Sequence, residues 1–253
     1  MSKSPQGAQS TIRALRLLKQ FTAERPELSL GELSEQCGLN KTTAYRLLQA
    51  LLSEALLARD AGSGAYRLGP AVMALGVQAA SRGNLREIAR PLLRRLADET
   101  GETATLEVPV EDTMLILDEI RGGRRIAAAA AVGSRWAIHA TATGKAVVAF
   151  GDDGPARLPD RLVPLTARTI TERARLEAQL DEVRRRGFAE TVDELEDGFA
   201  GVATVVRDGS GEILAAMSIC GPTPRLSEGR RARLGATLCA AAGQLRPQNG
   251  GPC

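Results

Sequence analysis

Lys41, Thr42, Thr43, Tyr45, Arg46 and Gln49 crowd into nine positions of the chain. Two cations, two hydroxyls, a phenol and a carboxamide make a set suited to nucleic acid. Lysine and arginine neutralise phosphates, while hydroxyl, amide and guanidinium groups read base edges. At helical spacing, Ala44, Leu47, Leu48 and Leu51 fall on the opposite face and can pack inward. An ordinary amphipathic helix with a wet face shows the same pattern, so the flanking elements decide between the readings.

Upstream, Ser29 and Glu32 have capping-box spacing, in which the hydroxyl accepts from a first-turn N–H and the carboxylate reaches back. Gly38 supplies a sharp helix stop, and Asn40 is a good N-cap for the next helix. Two short helices joined by a glycine turn form a helix-turn-helix. Downstream, 56–59 and 65–68 read as two strands around the tip Asp60-Ala61-Gly62-Ser63-Gly64. A small hairpin in that position is a wing, with Arg59 and Arg67 near its base. A helix is predicted over Ser10 to Glu24, with Ile12, Leu15, Leu17, Leu18 and Phe21 inward and Arg13, Arg16 and Lys19 in water. The candidate DNA contacts are Ser29, Lys41, Thr42, Thr43, Tyr45, Arg46, Arg59 and Arg67. Their expected partner is a double-stranded DNA operator.

The chain has 253 residues, enough for two modest domains, with 43% hydrophobic and 25% charged residues. Residues 1–82 hold ten Lys and Arg against six Asp and Glu, and the remainder holds 23 against 24. The positive balance lies on the helix-turn-helix half, as phosphate attraction requires. Charged residues interrupt every apolar run before it reaches membrane-spanning length, and the polar start Met1 to Gly7 lacks a signal-peptide core. Cys37, Cys220, Cys239 and Cys253 form no close pair, so neither a disulfide framework nor a zinc site is expected, and the expected compartment is the cytoplasm.

In the second half, Pro70 to Ser81 reads as a helix that is apolar nearly all round, suited to a partner chain or a domain bridge. Arg82-Gly83 breaks it. Asn84 then caps a helix to about Thr100 with Leu85, Ile88, Ala89, Leu92, Leu93 and Leu96 as its buried stripe. Strands are predicted over 103–109 and 113–120, and a third over 126–132 after the turn 121–125. Thr141 to Phe150 and Thr171 to Arg186 read as helices, the second capped at Thr171 and stopped by Gly187. Strands 188–192, 202–207 and 213–220 follow, then a helix capped at Ser227 running to about Leu245. This mixture lacks βα alternation and points to an α+β domain with an antiparallel sheet flanked by helices.

The order of these elements resembles the IclR family of bacterial transcription regulators. The resemblance rests on the run Leu39 to Leu48, Tyr66-Arg67-Leu68-Gly69, Gly133 with His139 to Ala146, and Ser218 to Pro222. It implies an α+β two-domain protein. A winged helix-turn-helix over 1–69 is joined by a linker helix over 70–83 to a GAF-like effector domain over 84–246, with a loose tail over 247–253. It also implies a homodimer or homotetramer with contacts through the linker helix, and operator affinity controlled by a small molecule, an organic acid in the leading reading. Carried over residue by residue, the effector positions are Ala142, Thr143, Thr191, Gly201, Ser218 and Cys220. The terminus of the Thr141 helix would hold a carboxylate, with Thr143 and Ser218 as partners. The chain departs from the family in having Gly201 for a frequent Cys, Thr191 for a frequent acid and Cys220 for a usual Ser. These changes make the pocket roomier and less polar.

Other residues carry weaker signals. His139 is the sole histidine, which argues for a structural place rather than a metal. Gly144-Lys145 lacks the glycine spacing of a phosphate loop. Arg184-Arg185-Arg186 reads as a solvated face, and Trp136 as a pocket rim or an interface contact. No cofactor, metal or catalytic residue is expected. An enzyme would need His139 beside Ser218 or Cys220. A DNA-binding protein without effector would have a filled core over 102–220.

Overall fold

The computed structural model describes residues 8–22, 25–81, 85–123 and 132–245. Asn84, residues 126–131 of the third predicted strand, the end of the 121–125 turn, the Arg82-Gly83 break and the tail after 246 lie outside them, while Val132 stands in a turn. The chain divides into two compact units, 1–82 and 83–253, so the helix after Pro70 belongs with the first.

In the first unit, α1 (Gln9–Leu18), α2 (Leu30–Gln36) and α3 (Lys41–Ser53) pack around Leu17, Leu33, Leu48 and Leu51. Strands β1 (Glu27–Leu28), β2 (Leu57–Arg59) and β3 (Tyr66–Leu68) form a small antiparallel sheet in the order β1-β3-β2. The sequence does not announce β1, which is only two residues long. Gly38 turns the chain between α2 and α3 at φ +60°, where a side chain is strained. Helix α1 stops at Leu18, well short of Glu24. Leu15 is 51% exposed, because the buried face is centred on Leu17 and Leu15 lies across the helix from it. Helix α4 (Pro70–Ser81) leaves Met73 and Leu75 exposed.

The second unit is built on a six-stranded antiparallel sheet, β6-β5-β4-β9-β8-β7. Its strands are β4 (Thr103–Val110), β5 (Thr113–Ile120), β6 (Arg135–Ala137), β7 (Ala189–Val192), β8 (Phe199–Arg207) and β9 (Ile213–Pro222). One face carries α5 (Leu85–Thr100) and α8 (Glu228–Ala242), which meet Ala104, Leu106, Val202, Met217 and Ile219. The other carries α6 (Ala142–Phe150) and α7 (Arg173–Arg186), which meet Ala189, Ala203 and Ala216. Because strand side chains alternate, residues 105, 107, 191, 201, 218 and 220 belong to the α6 face.

Several boundaries differ from expectation. Helix α7 begins at Arg173 with Glu172 in the cap position and no side-chain cap bond, so Thr171 does not cap it; Gly187 ends it at φ +86° as expected. Ile88 is 40% exposed, on the edge of the α5 stripe. Strands β8 and β9 run longer than their sequence signals, since pairing continues from Phe199↔Pro222 to Arg207↔Ile213. Ser227 stands at the start of α8 without a side-chain cap bond, and α8 ends at Ala242.

Two local features lock α6 in place. A Cβ on Gly144 would sit 2.0 Å from the Ile138 carbonyl oxygen, so only glycine permits this approach. The next residue, Lys145, is fully buried and donates to Glu194 at 2.5 and 2.6 Å and to Gln179 of α7 at 2.6 Å. Burial pushes the Lys145 ammonium below its ordinary value, and the Glu194 carboxylate opposes that shift. Gly144-Lys145 therefore serves packing rather than phosphate. Lys145→Met leaves Glu194 buried without its cation and is expected to cost about 3–5 kcal/mol. Urea unfolding followed through Trp136, the chain's one tryptophan, checks this; an unchanged midpoint would show that the pair does not anchor α6.

Candidate functional site

Helix α2, which precedes α3, opens on a complete capping box. Ser29 Oγ accepts from Glu32 N at 3.3 Å, while Ser29 N and Oγ both donate to Glu32 Oε2 at 2.8 Å. Arg25 adds an ion pair to Glu32 at 3.1 Å. The Ser29 backbone N–H, with these other donors, holds the Glu32 carboxyl below its ordinary range. Ser29 is thus engaged in the cap. At the start of α3, Asn40 Oδ1 accepts from Thr43 N at 2.8 Å.

Ala44, Leu48 and Leu51 turn inward from α3, which leaves Lys41, Thr42, Tyr45 and Arg46 exposed and Thr43 and Gln49 half-buried. Among the described residues, neither Lys41 nor Arg46 forms a salt bridge. In the wing, Arg59 Nε donates to the Gly64 carbonyl at 3.1 Å, and its guanidinium lies 5.6 Å from the Tyr66 ring centre. Asp60 accepts from Gly62 N, Ser63 N and Ser63 Oγ, which orders the tip and keeps its carboxyl low. Arg67 is exposed on β3, paired with Ala58 of β2 and Glu27 of β1. Arg59 therefore shapes the wing, while Arg67 is exposed on its strand with its charge near Asp60.

Under the first turn of α6, the alternating sheet residues and the helix line a narrow pocket with a cavity volume of about 20 Å³. All six carried-over positions line it: Ala142, Thr143, Thr191, Gly201, Ser218 and Cys220. Ladder register explains their convergence, because Thr191 faces Gly201, Gly201 faces Cys220, and Ser218 pairs with both Thr105 and Ala203. A Cβ on Gly201 would meet Cys220, Ala142 and Thr191 at 3.6–3.7 Å, ordinary contact, so glycine here leaves usable space. Trp136 and Phe199 meet edge to face at 6.0 Å and form the aromatic wall of the pocket.

Sequence reasoning missed Glu107. It is 2% exposed and lines the pocket from β4. Its Oε1 accepts from Thr105 Oγ1 at 2.7 Å and its Oε2 from Thr143 Oγ1 at 2.6 Å, while Thr105 Oγ1 lies 2.7 Å from Ser218 Oγ. Burial pushes the Glu107 carboxyl above its ordinary value, against the pull of the two threonine hydroxyls. The available signal was an acid sharing strand parity with Thr103 and Thr105. Cys220 beside it is buried, and burial with the neighbouring Glu107 pushes its thiol well up, so it lacks thiolate character. His139 Nε2 meets the Val163 carbonyl at 3.0 Å, and its Nδ1 has no partner among the described residues. It bonds neither Ser218 nor Cys220. Arg184 and Arg186 are not simply solvated: they reach the Ala149 and Phe188 carbonyls at 2.8 and 2.9 Å.

Among the described residues, no helix is long and apolar enough to cross a membrane, and no group of three or more His, Cys, Asp or Glu could hold a metal. A winged helix-turn-helix and a pocket-bearing α+β unit in one chain define a two-domain DNA-binding transcription regulator. Residues 10–61 match the IclR helix-turn-helix domain, and residues 77–246 match the bacterial transcriptional regulator IclR C-terminal domain. The chain belongs to the IclR family.

Its relatives include the HTH-type transcriptional regulator Rv1719 of Mycobacterium tuberculosis, 36% identical over 92% of this chain and 90% of that protein. The crystal structure of an IclR regulator from Alicyclobacillus acidocaldarius superposes with a TM-score of 0.79 at 28% identity, covering 93% of this chain and 96% of that one. An IclR homolog from Microbacterium hydrocarbonoxydans, solved with 4-hydroxybenzoate, shares the fold at 22% identity and a TM-score of 0.79, covering 92% of this chain and 97% of its own.

A carboxyl that holds its proton more tightly when folded adds stability below its unfolded value and loses it as pH rises through its folded value. Glu107 is such a group. Thermal unfolding across a pH series should show the wild-type midpoint falling more than that of Glu107→Gln as pH rises above the ordinary value of 4.5. Parallel curves would show that Glu107 is not desolvated.

Proposed function

We propose that this chain is a ligand-responsive transcription regulator in which the exposed face of α3 reads an operator and the pocket under α6 binds the effector. The observation that carries this reading is the pocket, since six positions scattered from 142 to 220 close around one space. A ligand bound there changes operator affinity only if it prefers one arrangement of the protein over another. The resemblance points to an organic acid as that ligand, and the Microbacterium relative holds one. In this chain, however, the hydroxyls that would receive a carboxylate are already bonded to, or linked to, Glu107. The enzyme reading needs His139 beside Ser218 or Cys220, and His139 bonds the Val163 carbonyl instead.

The DNA contacts we assign are Lys41, Thr42, Thr43, Tyr45 and Arg46 from α3, with Arg67 and the outer nitrogens of Arg59 from the wing. Ser29 contributes by holding α2 in place. A homodimer or homotetramer joined through the apolar α4, with Met73 at 74% and Leu75 at 57% exposure, would bury that surface and read an inverted repeat.

Mobility-shift titration of the full chain on its own upstream DNA tests the reading. Arg46→Ala and Tyr45→Ala should each weaken specific binding by about 1–3 kcal/mol. Lys41→Ala and Arg67→Ala should weaken it evenly across sequences and lower the salt slope by about one. Unchanged binding in both Tyr45→Ala and Arg46→Ala would overturn the assignment of α3. Release or strengthening of the complex by a small molecule, lost when Gly201→Phe fills the pocket, would place the effector there; persistence of the response would place it elsewhere.

A further inference from the structure

Buried acids in the second unit come with cations. Glu102 accepts from Arg225 and Arg230, Asp118 from Arg90, and Glu194 from Lys145. Glu107 does not. Among the described residues its partners are two threonine hydroxyls, and the pocket it lines contains no Lys, Arg or His.

The direction of each hydrogen bond matters here. A threonine hydroxyl has one proton to donate. Thr143 and Thr105 both give theirs to Glu107, so Ser218 must donate to Thr105. All three protons therefore run toward the carboxyl, and the oxygens left over are acceptors. Thr191, across Gly201, keeps a rotatable hydroxyl that accepts as readily as it donates. A ligand carboxylate entering this space would meet acceptors and an acid. An ammonium would meet the groups it requires, with the rings of Trp136 and Phe199, whose faces attract a cation, lining the same pocket. Thr143 lies in the first turn of α6, so Glu107 also occupies the place where that helix terminus would favour an incoming anion.

We propose that this pocket, taken as the effector site argued above, binds a small protonated amine that donates to Glu107 and lies against Trp136 and Phe199. The ligand supplies the cation that the fold withholds from this one acid. The field around Cys220 agrees: after burial, it is the carboxylates Glu107, Glu119 and Glu102 that push its thiol up. The cavity of about 20 Å³ holds one water-sized group, such as an ammonium head, with the rest of the ligand outside it.

Trp136 is the only tryptophan in the chain, so its emission reports occupancy at this place. The full chain is titrated with matched pairs, benzylamine against benzoate and 2-phenylethylamine against phenylacetate. The amines should shift Trp136 emission saturably and bind at least tenfold more tightly than their acids. Glu107→Gln should lose at least tenfold in amine affinity while keeping its thermal transition. Acids that bind as tightly as the amines would overturn the amine assignment and leave the effector pocket standing. Silence of Trp136 toward both classes would overturn the pocket as well. Should Glu107→Gln fail to fold, the wild-type contrast between each amine and its acid decides the matter.

Discussion

Everything distinctive in the second unit depends on α6 lying flat against a sheet whose other face is already covered. Gly144 allows the helix to touch the Ile138 carbonyl, and Lys145 ties it to Glu194 and Gln179. With α5 and α8 behind the sheet and α6 and α7 in front, the central strands are buried on both faces over most of their length. Polar residues on the α6 side must then find partners within the protein. Thr105, Glu107, Thr143 and Ser218 do so with one another, and the gap their packing leaves is the pocket.

The treatment of charge follows from the same burial. Taking a carboxylate out of water costs several kcal/mol unless a cation or several donors replace the lost hydration. Glu102 meets that cost with two arginines, and Glu190 with Arg186 and Arg231 at 3.0 and 2.9 Å. These pairs join α7, α8 and the sheet. Among the described residues, Glu107 has only two hydroxyl bonds to set against that cost, and burial raises its carboxyl above the ordinary value. The bulge in the β4–β5 ladder between Leu106 and Glu107 marks the point where regular pairing gives way beside this acid.

Burial works differently in the first unit, which keeps a single small core and leaves its polar face open. Leu17, Leu28, Leu33, Leu48, Leu57 and Tyr66 gather α1 to α3 and the sheet around one centre. That arrangement frees Lys41, Thr42, Tyr45 and Arg46 from any internal duty. Ser29 and Arg59 carry comparable chemistry but face inward duties, the one closing a capping box and the other bracing the wing. Residue type alone did not separate these two groups; hydrogen bonding did.

The sequence by itself determined the reader unit and most of the helices. Caps at Ser29 and Asn40, the turn at Gly38 and the period of α3 act over a few residues, so they survive without knowledge of the rest of the chain. It also showed the family through the ordered runs near 40, 140 and 218, and with them six of the pocket's lining residues. Tertiary structure alone decided that Glu107 belongs to the pocket. Polar residues at 103, 105 and 107 alternating with apolar ones at 104, 106 and 108 look like a wet face, and nothing nearby contradicts that. The face is dry because α6, more than thirty residues later, covers it. The partners of Glu107 come from Thr143 and, through Thr105, from Ser218. Which side chains meet across such separations is set by strand order and register, and these are properties of the assembled sheet rather than of any local segment.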